Sequence, residues 1–130
     1  MDNTSIFPDG TYRDLDPEQL IYLYQNFAQA KNTQSAEIWY EAKEDEFLVV
    51  LINGDRATLM YLENDEDSGI YSYDLTYVGA EEATLDFTLN NGEINQIPVS
   101  WTLPASNVIL AVEYFLQTGA IPSWITWMVQ

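Results

Sequence analysis

Two largely apolar runs, Phe47 to Ile52 and Asp55 to Leu62, meet at Asn53-Gly54, and this join constrains the fold more than any other stretch of the chain. Both turn residues tolerate the positive φ of a type I′ turn, so the spacing predicts a β-hairpin with a two-residue loop. Such a turn pairs Ile52 with Asp55, Val50 with Ala57 and Leu48 with Leu59 on one face. Leu51 with Arg56, Val49 with Thr58 and Phe47 with Met60 share the other. Both faces are therefore apolar, and each needs a cover of helices, further sheet or a partner. Asp55 and Arg56 point to opposite faces, which makes them poor salt-bridge partners for each other. A phosphate-binding loop would need more glycines and a following helix, and neither is present.

Arg56 is one of only four basic residues against 21 acidic ones. On an apolar face it has two readings. Its stem packs on Leu51 while its head meets a carboxylate from a neighbouring strand, or it contacts a partner directly. The first takes precedence, because an unpaired buried charge is rare.

Around the hairpin the hydrophobic period changes. Asp16-Pro17-Glu18-Gln19 has the cap, first-turn proline and capping-box partner of a helix start. Leu20, Leu23, Tyr24 and Phe27 follow at helical spacing, with Asn32 as the stop. From Ala36 the period is two, with Ile38 and Tyr40 alternating against Glu37, Trp39 and Glu41 before the polar turn Lys43-Glu44-Asp45. Further strands read Ile70 to Val78, with Tyr71, Tyr73, Leu75 and Tyr77 on one face, and Ala83 to Leu89, with Leu85, Phe87 and Leu89 on one face. Asn90-Asn91-Gly92 turns into Glu93 to Trp101, where Pro98 marks an edge or a bulge. A second helix begins near Pro104 to Ser106, carries Val108, Ile109, Val112, Phe115 and Leu116, and stops at Gly119. The tail from Ile121 to Trp127 is extended, which places Trp124 and Trp127 on opposite faces. With no repeat and no long linker, this order predicts one α+β domain over residues 1–130, with a mostly antiparallel twisted sheet of about five to six strands and two helices.

Composition narrows the function. The net charge of −17 argues against nucleic acid or an anionic membrane as a direct ligand, and leaves either solubility or a basic partner as its meaning. An aromatic content of 14% sets the chain apart from a disordered acidic tail. There is no cysteine and no apolar run of the ~18 residues that a membrane span needs. The first residues also lack the pattern of a signal peptide, so a cytoplasmic protein is expected. Without histidine or cysteine, the usual general base, metal ligand and thiol nucleophile are missing. Carboxylate pairs are what remains for catalysis, and 21 acids supply such pairs by chance. In Glu63-Asn64-Asp65-Glu66-Asp67-Ser68-Gly69, setting Gly69 at the sixth position of a calcium loop puts Leu75 at the twelfth, where a carboxylate is required. That stretch reads as a solvated loop, then as an acidic knob facing a partner, then as a weak cation site.

Asn53-Gly54-Asp55-Arg56-Ala57-Thr58-Leu59, Gly69, Pro98-Val99-Ser100-Trp101, the second helix and Trp124-Ile125-Thr126-Trp127 occur in an order and spacing that carry a resemblance. From about Phe47 to Trp127 the chain resembles family one of the Imm immunity proteins of bacterial polymorphic toxin systems. The resemblance implies a small cytoplasmic binder, not an enzyme and without cofactor or metal, that neutralises a cognate toxin domain of nuclease or nucleic-acid deaminase type. Asn53, Gly54, Asp55, Arg56, Trp101, Trp124 and Trp127 are then motif residues that keep the fold. Partner-binding candidates are Glu63, Asp65, Glu66 and Asp67, joined by Tyr71 and Tyr73 if the tyrosine face is exposed rather than core. An acidic inhibitor suits the basic cleft of a toxin that acts on nucleic acid. The other functional classes are a carboxylate-dependent hydrolase and a passive acidic scaffold, and no oligomeric state follows from these residues.

Overall fold

The computed structural model describes residues 6–13, 17–28, 35–64 and 69–129. The elements run α1 (Pro17–Ala28), β1 (Ser35–Lys43), β2 (Glu46–Asn53), β3 (Arg56–Leu62), β4 (Ile70–Tyr73), β5 (Thr84–Thr88), β6 (Ile94–Pro98), a 3-10 turn (Val99–Trp101), β7 (Thr102–Pro104), α2 (Ala105–Thr118) and β8 (Thr126–Val129). The expected α+β class is what folds. A six-stranded antiparallel sheet has the order β1-β2-β3-β4-β8, with β7 beside β3, and β5 and β6 form a separate two-stranded sheet. The expected cap at Asp16 and stop at Asn32 lie outside the described residues.

The two apolar faces of the β2–β3 hairpin have different covers. On one, Leu48, Val50, Ile52, Ala57 and Leu59 pack with Leu20 and Leu23 of α1 and with Val108, Ala111, Val112 and Phe115 of α2. On the other, Val49, Leu51 and Leu62 pack with Phe87 of β5 and Ile97 of β6. The result is three layers, helices over sheet over a small hairpin, each burying one apolar face.

The observed pairing corrects the predicted register. Val50 faces Leu59, Ile52 faces Ala57 and Asn53 faces Arg56, so Gly54-Asp55 is the loop. Gly54 has φ of 68° and Asp55 has no positive φ, which is the pattern of a type II′ turn with glycine first, whereas type I′ needs positive φ at both central residues. Because the slip moves each partner by two residues, every side chain keeps its expected face. Asp55 lies in the turn instead of on a strand face.

Three further expectations are corrected. β4 ends at Tyr73 instead of Val78, and Leu75 is 74% exposed. Asp74 stops the strand, because its Oδ1 accepts from the Thr76 N–H at 2.9 Å and hydroxyl at 2.6 Å, and its carbonyl accepts from Tyr77 N–H. The predicted tyrosine ladder therefore does not extend past Tyr73. Tyr24 of α1 is 43% exposed instead of part of the buried stripe. Trp124 lies in the turn before β8, so Trp124 and Trp127 both pack on the helix-side core instead of pointing apart.

Pro98 ends β6, as the edge reading expects. Backbone bonds from Val99 N–H to Ala83 O and from Leu89 N–H to Glu93 O bracket the β5–β6 ladder. Pairs alternate between bonded and non-bonded positions in an antiparallel ladder, so Pro98, opposite Thr84, falls at a non-bonded position. Its missing N–H costs the hairpin nothing. The second helix closes as predicted, with Gly119 in the left-handed conformation at φ of 76°.

Candidate functional site

Arg56 opens β3 directly after the tight turn and spans the point where the sheet forks. β3 pairs with β4 through Met60 and Tyr61 and with β7 through Arg56, Ala57 and Thr58, so two strands share one edge. At the fork the Leu59 N–H has no strand opposite, and the Ser72 hydroxyl takes it at 3.0 Å while donating to Trp101 O at 2.9 Å. Arg56 closes the other end of the fork. Its Nε donates to Thr102 Oγ1 at 2.6 Å, and its Nη2 donates to Thr102 O at 2.7 Å and to Asp74 Oδ2 at 3.0 Å. The acid that pins the scarce arginine thus comes from the end of a neighbouring strand.

Burial pushes the Asp74 carboxyl up. The hydroxyl and N–H of Thr76 and the hydrogen bond and charge of Arg56 together outweigh it, so its pKa lies below the usual carboxylate value. Thr58, Ser72 and Thr102 are fully buried, and each hydroxyl has a partner. Among the described residues this polar knot leaves no buried side-chain polar atom without a partner, which makes it a structural joint.

The motif residues occupy three separate places. Asn53 donates from Nδ2 to Asp86 O at 2.6 Å, tying the hairpin tip to β5. The Asp55 carbonyl accepts the Ala105 N–H at the start of α2. Trp101 lies against Tyr71 with ring centroids 5.0 Å apart. Trp124 stacks on Phe7 at 5.7 Å and meets Tyr114 edge-on at 4.9 Å. Trp127 Nε1 donates to Pro122 O.

A second arginine makes a pair not singled out in the sequence analysis. Arg13 makes a two-pronged pair with Glu113 of α2, Nη2 to Oε1 at 2.8 Å and Nε to Oε2 at 3.1 Å, and Glu113 is 4% exposed. With the Phe7 ring against Tyr114 and Trp124, and Gln117 Nε2 donating to Tyr12 O, this pair holds residues 6–13 onto α2. The signals available were a scarce cation and an acid within an apolar helix stripe.

Of the partner-binding candidates, Glu63 is exposed just past β3, and Asp65, Glu66 and Asp67 lie outside the described residues. Tyr71 is half-buried beside the hairpin-side core, and burial raises its phenol pKa. Tyr73 is half-buried at the end of β4. Among the described residues no group of three or more acidic side chains could hold a metal ion.

Two concavities lie among the described residues. One, of about 620 Å³, runs along β6 and is lined by Tyr71, Trp101, Asp86 and residues 94–98. The other, of about 360 Å³, lies between the β1–β2 turn and the end of α2, lined by Lys43, Glu46, Tyr61, Glu63 and Ile70 with residues 119–121. Among the charged residues of the chain, acids outnumber bases by 21 to 4. Among the described residues, Asp74 and Glu113 are the two acids with an arginine partner, while Glu81, Glu82, Asp86 and Glu93 around the β5–β6 hairpin are exposed.

Comparison with known families decides what this arrangement belongs to. The family described as Immunity protein Imm1 matches residues 16–129. The chain belongs to this immunity protein family. The match takes in α1 and β1, which lie before the stretch that carries the resemblance in the sequence. Comparison with the curated proteins returns no match. Among the described residues no helix is long and apolar enough to cross a membrane.

Proposed function

We propose that this chain is a single-domain cytoplasmic immunity protein that binds a cognate toxin domain, blocks it by occupying a basic face, and catalyses nothing. The family match over residues 16–129 carries the reading. The net charge of −17 supports a basic partner and, through it, a toxin that acts on nucleic acid, whether nuclease or deaminase. Carboxylates at the contact stand where phosphates of the toxin's substrate would bind, and long-range attraction speeds the encounter. Glu63, the acidic stretch Asp65, Glu66 and Asp67, and Tyr71 with Tyr73 form the proposed contact region. Asn53, Gly54, Asp55, Arg56, Trp101, Trp124 and Trp127 keep the fold, consistent with their hydrogen bonds and ring contacts.

The test is rescue of cells expressing the toxin domain encoded beside this chain, together with co-purification of the two. Association should slow by about tenfold or more between low and physiological salt. A rate indifferent to salt overturns the electrostatic part, and failure of both rescue and co-purification overturns the reading.

A further inference from the structure

We propose that the free edge of β6 receives an extended, basic segment of the toxin domain, which joins the β5–β6 hairpin as a third strand. This rests on the immunity reading and names where and how the partner docks. The bonded pairs that bracket the ladder put Leu85 with Ile97 and Phe87 with Asn95 at bonded positions. The N–H and C=O groups of Ile94 and Gln96 therefore point away from β5. Among the described residues no backbone partner takes them. Pro98, without an N–H, ends the open edge.

The edge borders a built groove. The Tyr71 and Trp101 rings, tilted 38° to each other, line it together with Asp86 and the β6 residues. No lysine or arginine lines it, and Arg56 is held by Asp74 and Thr102. An unpaired edge is a template for any extended chain. Here the charge selects the occupant, since a second copy of a chain carrying −17 is repelled. A segment bearing Arg or Lys gains the ring faces and the Asp86 carboxylate along with main-chain bonds. The edge of β1 is guarded by contrast. A bulge interrupts it between Glu41 and Lys43, and Glu37 holds Asn90 through both its carboxylate and its carbonyl.

The experiment uses the full chain and a catalytically inactivated form of the toxin domain encoded beside it. Hydrogen exchange at the Ile94 and Gln96 amides should slow by about tenfold or more in the complex. Gln96→Pro removes an outward N–H while leaving the β5–β6 bonds intact, and it should weaken binding by about a hundredfold. Asp86→Lys should weaken it by about tenfold, chiefly through the association rate. If Gln96→Pro does not fold, Asp86→Lys and the exchange data decide. Wild-type chain that binds and protects, with unprotected Ile94 and Gln96 amides and unchanged affinity in Asp86→Lys, overturns the docking edge alone. Wild-type chain that neither binds nor protects overturns the immunity reading and this proposal with it.

Discussion

The same strands build both faces of the main sheet, yet the two covers differ in kind. On the helix side, fourteen buried residues from both helices, four strands and the turn before β8 close around Phe115 and Leu59, with Phe7 and Trp124 packed behind them. On the other side five buried residues suffice, and the cover is a lone hairpin of two five-residue strands. The hairpin is tied to the main sheet by Asn53 to the Asp86 carbonyl in the middle of β5 and by Asn90 in its turn to Glu37. A thin cover with a free edge buries less but leaves backbone and ring faces available. Stability is concentrated on one face and the open edge on the other.

Truncating the aromatic centre of each face breaks this comparison most sharply. Phe115→Ala is expected to cost about 4 kcal/mol in urea unfolding and to lower the whole transition. Phe87→Ala is expected to cost about 2 to 3 kcal/mol, because the hairpin can settle into the gap, and to speed amide exchange in β5 and β6 more than in β2. Equal losses with uniform exchange would show that the two cores form one unit.

The two arginine pairs sharpen the contrast next. Glu113→Ala leaves the Arg13 charge almost enclosed and is expected to cost about 3 kcal/mol. Asp74→Asn is expected to cost about 1 kcal/mol, since Arg56 is more open, at 27% exposure, and keeps Thr102. Asp74 also sets a pH dependence. Folding holds its pKa below the unfolded value of 3.8, so its contribution is present above that value and is lost as pH falls through the folded one. Unfolding midpoints followed from pH 5 down past 3.8 should fall less steeply in Asp74→Asn than in the parent, with the difference opening only below about pH 4.

The smallest effect has the opposite sign. Burial, with the nearby Tyr22, raises the Tyr40 pKa to about 12, and its buried hydroxyl has no hydrogen-bond partner among the described residues. Tyr40→Phe is therefore expected to raise stability by about 1 kcal/mol. The neutral phenol is favoured on folding, so the parent should lose stability as pH rises from 10 toward 12, and the variant should lose less.

What was legible in the sequence follows the range of the forces involved. Asn53-Gly54, Asn90-Asn91-Gly92, Pro98 and Gly119 act through their own φ and their own missing or present N–H, so the turns and strand ends there could be read directly. The hairpin register slipped because an Asn-Gly pair serves either as both central residues of one turn or as its first two residues. β4 read too long because Asp74 breaks it with a side-chain turn that period-two alternation does not register. The Arg56 partner could be anticipated only in kind, as an acid from another strand. The Arg13–Glu113 pair spans 100 residues and has no local signature, and the β6 groove exists only because the 3-10 turn brings Trp101 beside Tyr71.

The clasp of residues 6–13 bears on how the domain is cut and joined to other proteins. The family match begins at residue 16, whereas Phe7 is 2% exposed and Arg13 neutralises a buried acid. A gene trimmed to the matched residues would strip the lid from Tyr114 and Trp124 and strand Glu113 inside an apolar helix. Its product is expected to be less stable than the parent, and a failed binding experiment with it would say nothing about the toxin. Fusion partners belong ahead of Ile6 on a linker, and the boundary of the folded unit should be drawn from its packing.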